Sequence, residues 1–430
     1  MTPWLLHRSP VAGALRGELA HAPADQVADF YRRRDYRPLW VDRGAVRPEA
    51  QRLIAVLRAA GADDLDPAAF RPDRLARTVA AASDRRPASL AHAELALARA
   101  FTAYVGALHR APAGAGFRFV DAGVATPPVQ ANDILEAAAA APIGQALEAA
   151  RRMNPIYLQL RAALVARRAA GREDAATRLI EANLERARPL PADLGRRYIL
   201  VNPAAQALEV YARGRSQGIM RVVVGKRSEQ TPEMIGLIRY ALFNPYWNVP
   251  PDLVRDKIAP KFMKGGSAYF AGQHFQALSD WSPQARPLDP ATVDWAAVAG
   301  GRQMLRVRQL PGADNMMGQV KFMLPNPLGV YLHDTPERRL FDDAERADSS
   351  GCVRLQDAAA LARWIFARQV AFDPAGPPDQ RVEVVPPIPV YVVYLTAAPT
   401  PQGVAFYPDI YGRDPLLIAQ LAARRGAGSG

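Results

Sequence analysis

The sequence predicts an α+β protein of more than one domain: an α-helical amino-terminal half followed by a mainly β half that carries a long insertion. Three observations carry this. The chain has 430 residues, more than one compact core ordinarily serves. Up to residue 188 it is rich in alanine and places apolar residues at helical spacing, as in Leu53, Val56, Leu57 and in Leu95, Ala98, Phe101, Val105. Beyond a linker at 189–195, short β-branched and apolar runs replace that pattern.

Residues 22–188 read as a helical domain, interrupted by Pro-, Gly- and Asp-rich loops at 61–72, 111–128 and 171–174, with 181–190 (EANLERARPL) as its last helix. The β domain spans 196–400. Its first runs, 197–202 (RYILVN), 207–211 and 221–224, are separated by Asn202-Pro203 and by the glycines of 214–218, which suits a meander or hairpin. Residues 231–242 read as a helix capped by Thr231 with Pro232 at its first position. Strands follow at 320–324, 329–332 and 382–395, the last broken by Pro386, Pro387 and Pro389. Residues 357–368 form a helix packed through Leu361, Trp364 and Ile365. Between 254 and 309 periodicity weakens, but Tyr269, Phe270, Phe275, Trp281 and Trp295 argue for an ordered insertion. Residues 401–430 are a C-terminal helix and tail.

Composition excludes several functions. The net charge of +12 and pI near 10.0 raise the question of nucleic acid, but the basic residues are interspersed with acids and form no aromatic-bearing basic run, so nucleic acid is not an expected partner. A single cysteine permits no internal disulfide and no multi-cysteine zinc site, and the six histidines show no metal-ligand spacing. No metal and no cofactor are expected. The first twenty residues hold only a short apolar patch, Trp4 to Leu6, unlike a signal-peptide core, and no stretch is apolar and long enough to span a membrane.

The chemistry converges on 330–355 (VYLHDTPERRLFDDAERADSSGCVRL), which holds that cysteine, Cys352, nineteen positions after His333. An isolated cysteine is commonly a small buried hydrophobe. Here Ser349, Ser350 and Gly351 precede it as a tight polar turn and Arg354 follows, surroundings that a core cysteine does not need. A histidine within reach takes the proton of a thiol and lowers its pKa from about 8.5 toward neutrality. Cys352 and His333 are the candidate nucleophile and base. The imidazole needs an orienting group. The side chain of Asp334, next along an apparent strand, points to the opposite face, so a backbone carbonyl is the better candidate. Backbone N–H groups of Gly351 and Cys352, with Tyr331, are candidate oxyanion donors. Arg354 either holds a substrate carboxylate or braces the loop. Ser349 either bonds within the turn or touches substrate. Tyr246 and Trp247 are either an aromatic wall or core packing.

Ser349-Ser350-Gly351-Cys352-Val353-Arg354, with His333-Asp334-Thr335-Pro336 upstream, resembles the active-site signature of the L,D-transpeptidases, cysteine enzymes that cross-link bacterial peptidoglycan. The resemblance is to the large Gram-negative branch. It extends to 197–202, 220–226 (MRVVVGK), Gln230-Thr231-Pro232 and 243–251 (FNPYWNVPP), and to 35–41 (DYRPLWV) and 154–160 (NPIYLQL) in the helical scaffold. The resemblance implies that Cys352 forms a thioester with the third residue of a donor tetrapeptide stem, releasing D-Ala, and that the side-chain amine of an acceptor stem takes the acyl group to give a 3→3 cross-link. It implies that the backbone carbonyl of Asp334 orients His333, that 254–309 is a capping lid, that carbapenem-type β-lactams are covalent inhibitors, and that the protein works in the periplasm. The branch's inserted peptidoglycan-binding module is missing, because 171–190 is too short to hold it. The same signature serves other acceptors (water in an L,D-carboxypeptidase, a D-amino acid in exchange, a protein lysine in anchoring), and a catalytically silent wall-binding scaffold is the non-enzymatic alternative.

Overall fold

The structure is a computed structural model that describes residues 9–21, 25–110, 118–121, 123, 130–367 and 376–427. Most of the loop expected at 111–128 and the apolar patch Trp4 to Leu6 lie outside these residues. The chain divides into two compact units: residues 1–115, 126–194 and 395–430 form one, and 116–125 with 195–394 form the other.

The first unit is helical. Its axis is the helix Pro87–Leu108, which buries Leu90, Leu95, Leu97, Phe101, Tyr104 and Val105. Glu94, fully buried on that helix, accepts hydrogen bonds from the Leu39 and Trp40 backbone N–H groups (2.6 and 2.8 Å) and from the Tyr31 hydroxyl, pinning the segment 35–41. The NPIYLQL run has an equally local reason. Asn154 caps the helix Pro155–Ala169 by accepting from Tyr157 N–H (2.9 Å), Pro155 fills a first-turn position, and the Asn154 amide donates to Ala187 O (2.9 Å) at the end of the helix Ala175–Ala187. The C-terminal residues return to this unit as a hairpin, Ala397–Thr400 with Gly403–Phe406, and a helix, Asp414–Ala427. Buried Arg186 pairs with Asp414 at 2.6 Å, and Thr396 N–H donates to Asn183 Oδ1 at 2.9 Å.

The second unit is built on one large sheet, whose main strands we number β1 (Arg197–Asn202), β2 (Ala207–Ala212), β3 (Arg215–Gly225), β4 (Met234–Phe243), β5 (Val320–Met323), β6 (Leu332–His333), β7 (Val353–Leu355) and β8 (Gln380–Val392). The first three form the expected antiparallel meander. Neighbours run in the order β5-β6-β7-β3-β2-β1-β8-β4, and β4 pairs back onto β5, closing the ring. The helix Ala358–Phe366, capped by Asp357, buries Ala358, Leu361, Ala362 and Ile365.

The helix expected at 231–242 is a strand instead. Met234–Phe243 carries Ile235, Ile238, Tyr240 and Phe243, is paired along most of its length with β8 and with β5, and has buried residues on both faces. Tertiary pairing of an apolar β-prone run outweighs the Thr-Pro start signal. In β8 the pairing register shifts between Glu383 and Ile388, where Pro386 and Pro387 lack a ladder N–H.

The insertion has its own core. Strands Trp247–Asn248, Phe275–Leu278, Pro287–Leu288 and Arg306–Gln309 form an antiparallel sheet. With it, Val254, Ile258, Phe262, Phe270, Trp295, Val298 and Val307 make a buried cluster. Phe262 and Trp295 stack at 4.3 Å. Of the aromatics singled out in the sequence, Phe270 and Trp295 are buried, Tyr269 and Phe275 pack against the cluster, and Trp281 is exposed.

Candidate active site

Pairing register assembles the site. β6 and β7 are parallel, with Leu332 opposite Val353 and His333 opposite Arg354, and Val353 N–H donates to Tyr331 O at 3.0 Å. Paired residues share a face and alternate residues return to it. His333 in β6 and Arg354 in β7 therefore share a face, and Tyr331 and Cys352, each one residue before its strand and joined through the Val353 N–H, continue the alternation onto it, with the cysteine and the histidine as diagonal neighbours. β5 adds Lys321, opposite His333 and on the same face.

His333 is 2% exposed, and its Nδ1 lies 2.6 Å from the backbone oxygen of Asp334. A carbonyl only accepts, so Nδ1 carries the proton and Nε2 presents its lone pair. The Asp334 side chain points elsewhere: its carboxylate accepts from Gln319 N–H (2.9 Å) and from Arg338 (2.6 Å). It presses on Gly318, where φ is +57° and a Cβ would fall 2.4 Å from Asp334 Oδ2. Asp334 N–H donates to Val320 O at 2.9 Å. The peptide that holds the imidazole is thus clamped from several directions.

Cys352 is half-buried, and its thiol donates to Gly329 O at 3.6 Å. Burial pushes the thiol above its ordinary pKa, against the Tyr331 backbone N–H and the charges of Lys321 and Arg354, which lower it. Burial also drives His333 down to about 3, against the Asp334 carbonyl and with Arg354 and Lys321 adding to the depression. The lowered thiol pKa expected from the sequence is therefore not the resting condition. Burial thus disfavours the charged form of both groups.

The turn before Cys352 is cross-braced. Ser349 Oγ donates to Cys352 O (2.5 Å) and accepts from Gly351 N–H (3.2 Å), so Ser349 bonds within the turn. The Gly351 N–H, a candidate oxyanion donor, is consequently engaged by that serine. Gly351 has φ +102°, a conformation that glycine adopts without strain. Thr231, expected as a helix cap, instead accepts from Gly225 N–H (2.8 Å) and donates to Gly351 O (3.0 Å). A Cβ on Gly225 would lie 2.1 Å from Glu229 O, so the GK turn that brings Thr231 to the Cys352 loop requires glycine. Arg354 is ion-paired with Glu337 and mostly buried, which braces the loop.

Sequence reading passed over Lys321, Thr231, Gly225 and Gly318. Lys321 had a signal, a lysine between Val320 and Phe322 in an apolar strand, and Gly225 and Thr231 lie in the runs 220–226 and 230–232 that carry the resemblance, where no site role attached to them. Tyr246 lies under the Arg308 guanidinium (4.1 Å), and Trp247 packs on the insertion's core.

Residues 196–384 match the L,D-transpeptidase catalytic domain family, and residues 25–164 match the Scaffold domain family. Residues 196–384 are therefore the part of this chain that is similar to an L,D-transpeptidase catalytic domain. Over 228 residues it is 34% identical to a Haemophilus influenzae protein provisionally assigned as an L,D-transpeptidase, covering 50% of this chain and 44% of that one, so the chain spans under half the length of this curated relative. Solved structures give slighter likenesses. An L,D-transpeptidase from Mycobacterium smegmatis is 13% identical with a TM-score of 0.23, covering 46% of this chain and 58% of that one. The Ldtfm–avibactam carbamoyl enzyme is 12% identical with a TM-score of 0.23, covering 48% and 51%. The matched residues 196–384 contain both His333, in β6, and Cys352, immediately before β7.

Proposed function

We propose that this protein is a peptidoglycan L,D-transpeptidase working by cysteine acyl transfer. The observation that carries the reading is the shared face of Cys352 and His333, with the imidazole tautomer fixed by the Asp334 carbonyl. Sγ attacks the carbonyl at the L-centre of the third residue of a donor tetrapeptide stem while Nε2 takes the thiol proton. The oxyanion is received by Cys352 N–H and the Tyr331 side. As the tetrahedral species collapses, the imidazolium returns the proton to the departing D-Ala amine, leaving a thioester. His333 then deprotonates the side-chain amine of an acceptor stem, which displaces Sγ and gives the 3→3 cross-link.

A neutral resting pair suits this cycle, since the proton goes out and back through one imidazole without a standing charge in a desolvated site. Arg354, with Glu337, supports the loop rather than reading substrate. The insertion is the proposed lid: Lys257 lies close enough to Glu229 to help lower its pKa, after the stronger effects of Lys226 and Ser350, so the insertion reaches the loop beside the nucleophile turn. Action on peptidoglycan implies the periplasm. Among the described residues no helix is long and apolar enough to cross a membrane.

The test has two arms. Incubation with a carbapenem followed by intact-mass measurement should add one adduct to the wild type and none to Cys352→Ala; an unmodified wild type would overturn the acyl-enzyme reading. Incubation with purified tetrapeptide stems should yield 3→3 dimers. Tripeptide alone would reassign the acceptor to water and make the enzyme an L,D-carboxypeptidase.

A further inference from the structure

His333 is neutral at rest, so it offers Cys352 no positive partner, yet sulfur must gain negative charge as its proton leaves. Two cations share its face. Arg354 is paired with the Glu337 carboxylate, which offsets its field. Lys321 is placed differently. It stands opposite His333 in β5, is 9% exposed, and rests its ammonium 3.7 Å from the centre of the Tyr331 ring. Tyr331 in turn is bonded through its backbone to Val353, beside the cysteine.

Burying an ammonium is costly, and an aromatic face returns only part of that cost. Burial lowers the pKa of Lys321, while the Cys352 sulfur and the Asp379 carboxylate raise it. Lys321 therefore sits in a desolvated place where negative charge on sulfur, once it forms, favours the ammonium. The other charged or titratable groups around the cysteine are accounted for. Tyr331 is held above its ordinary pKa by burial and by Cys352. Glu229, on the 226–231 loop, is bonded to Lys226 and Ser350. Asp379, which precedes β8, accepts from Tyr246 N–H.

We propose that Lys321 is the electrostatic partner of Cys352, an ammonium seated on the Tyr331 ring whose field favours the thiolate as it forms. This rests on Cys352 being the nucleophile of the reading above. As Sγ bonds to the acyl carbon, the S–H bond breaks, its proton passes to His333 Nε2 and its electron pair forms the S–C bond. Lys321 keeps its proton throughout and exchanges no atoms, so it is a positioning charge.

The experiment is alkylation of Cys352, the only cysteine in the chain, by iodoacetamide across roughly pH 6 to 11, followed by intact mass on the full chain. Lys321→Met should move the midpoint up by about one pH unit, the effect expected of a removed neighbouring charge, and slow alkylation about tenfold below it. Lys321→Arg should restore the midpoint toward wild type. Tyr331→Leu, which keeps the lysine and removes its seat, should move it the same way as Lys321→Met, and stands in if that variant does not fold. An unchanged midpoint in Lys321→Met, or in Tyr331→Leu where Lys321→Met cannot be prepared, overturns the proposal. Iodoacetamide needs no peptide and no β-lactam, so this result is independent of whether the protein turns over a wall peptide.

Discussion

At the residue scale, the site depends on groups that do no chemistry. Thr231 supplies one hydroxyl to two backbone partners, Gly225 N–H and Gly351 O, both on the turns that shape the Cys352 loop. Thr231→Val keeps the shape and removes the hydroxyl. Stability should fall by about 1–3 kcal/mol from the stranded partners, and carbapenem acylation should slow while Thr231→Ser holds near wild type; equal acylation by all three would remove Thr231 from the positioning set. Gly318 makes a second case. Gly318→Ala forces a Cβ against the Asp334 carboxylate at positive φ. Overpacking of this kind costs about 1–3 kcal/mol, and the displaced Asp334 peptide should reduce acylation more than the loss of stability explains. A variant acylated at the wild-type rate would show that the clamp is merely structural. Cys352 and His333 are legible in the sequence because their neighbours carry chemistry that a core does not need. Thr231 and Gly318 are not legible, because their partners lie 120 and 16 residues away and only the folded loops bring them together.

At the scale of elements, periodicity served well where an element buries one face. The helices of the first unit and the β1–β3 meander read directly from spacing. It failed at β4, buried on both faces and paired on both edges, where a continuous apolar run does not distinguish helix from strand. The insertion was legible as ordered but not as a unit, because its strands are two to four residues long and pair across the whole segment. Its core rests on the Phe262–Trp295 stack. Phe262→Ala should cost about 3–5 kcal/mol there and raise hydrogen exchange across 254–309 while β1–β3 stay protected. Loosening that spread equally through the large sheet would show that the insertion is not an independent cooperative element, and a hinged lid would lose its basis.

At the scale of the whole molecule, burial of His333 in one unit and of Glu94 in the other has opposite consequences. His333 is depressed from the ordinary imidazole value of 6.5 to about 3. Between those values the unfolded chain binds a proton that the folded chain refuses, so this contribution is complete above about pH 6.5 and is lost as pH falls, at about 1.4 kcal/mol per pH unit. Glu94 is raised to about 7 by burial, against the hydrogen bonds of Tyr31, Leu39, Trp40 and Val41. The folded chain there holds a proton that the unfolded chain has released, so its contribution is complete below about pH 4.5 and is lost as pH rises through 7. Hydrogen exchange reads both in one sample. The Leu39 and Trp40 amides, bonded to Glu94, should lose protection from pH 4.5 to 7 after correction for intrinsic exchange. The Val353 amide, bonded to Tyr331 O beside His333, should gain it over the same range. Glu94→Gln should flatten the first trend and leave the second unchanged. If the amides of both units followed one common slope in the wild type, neither burial would be setting the acid–base behaviour of its unit, and the neutral imidazole on which the proposed proton cycle depends would have to be abandoned.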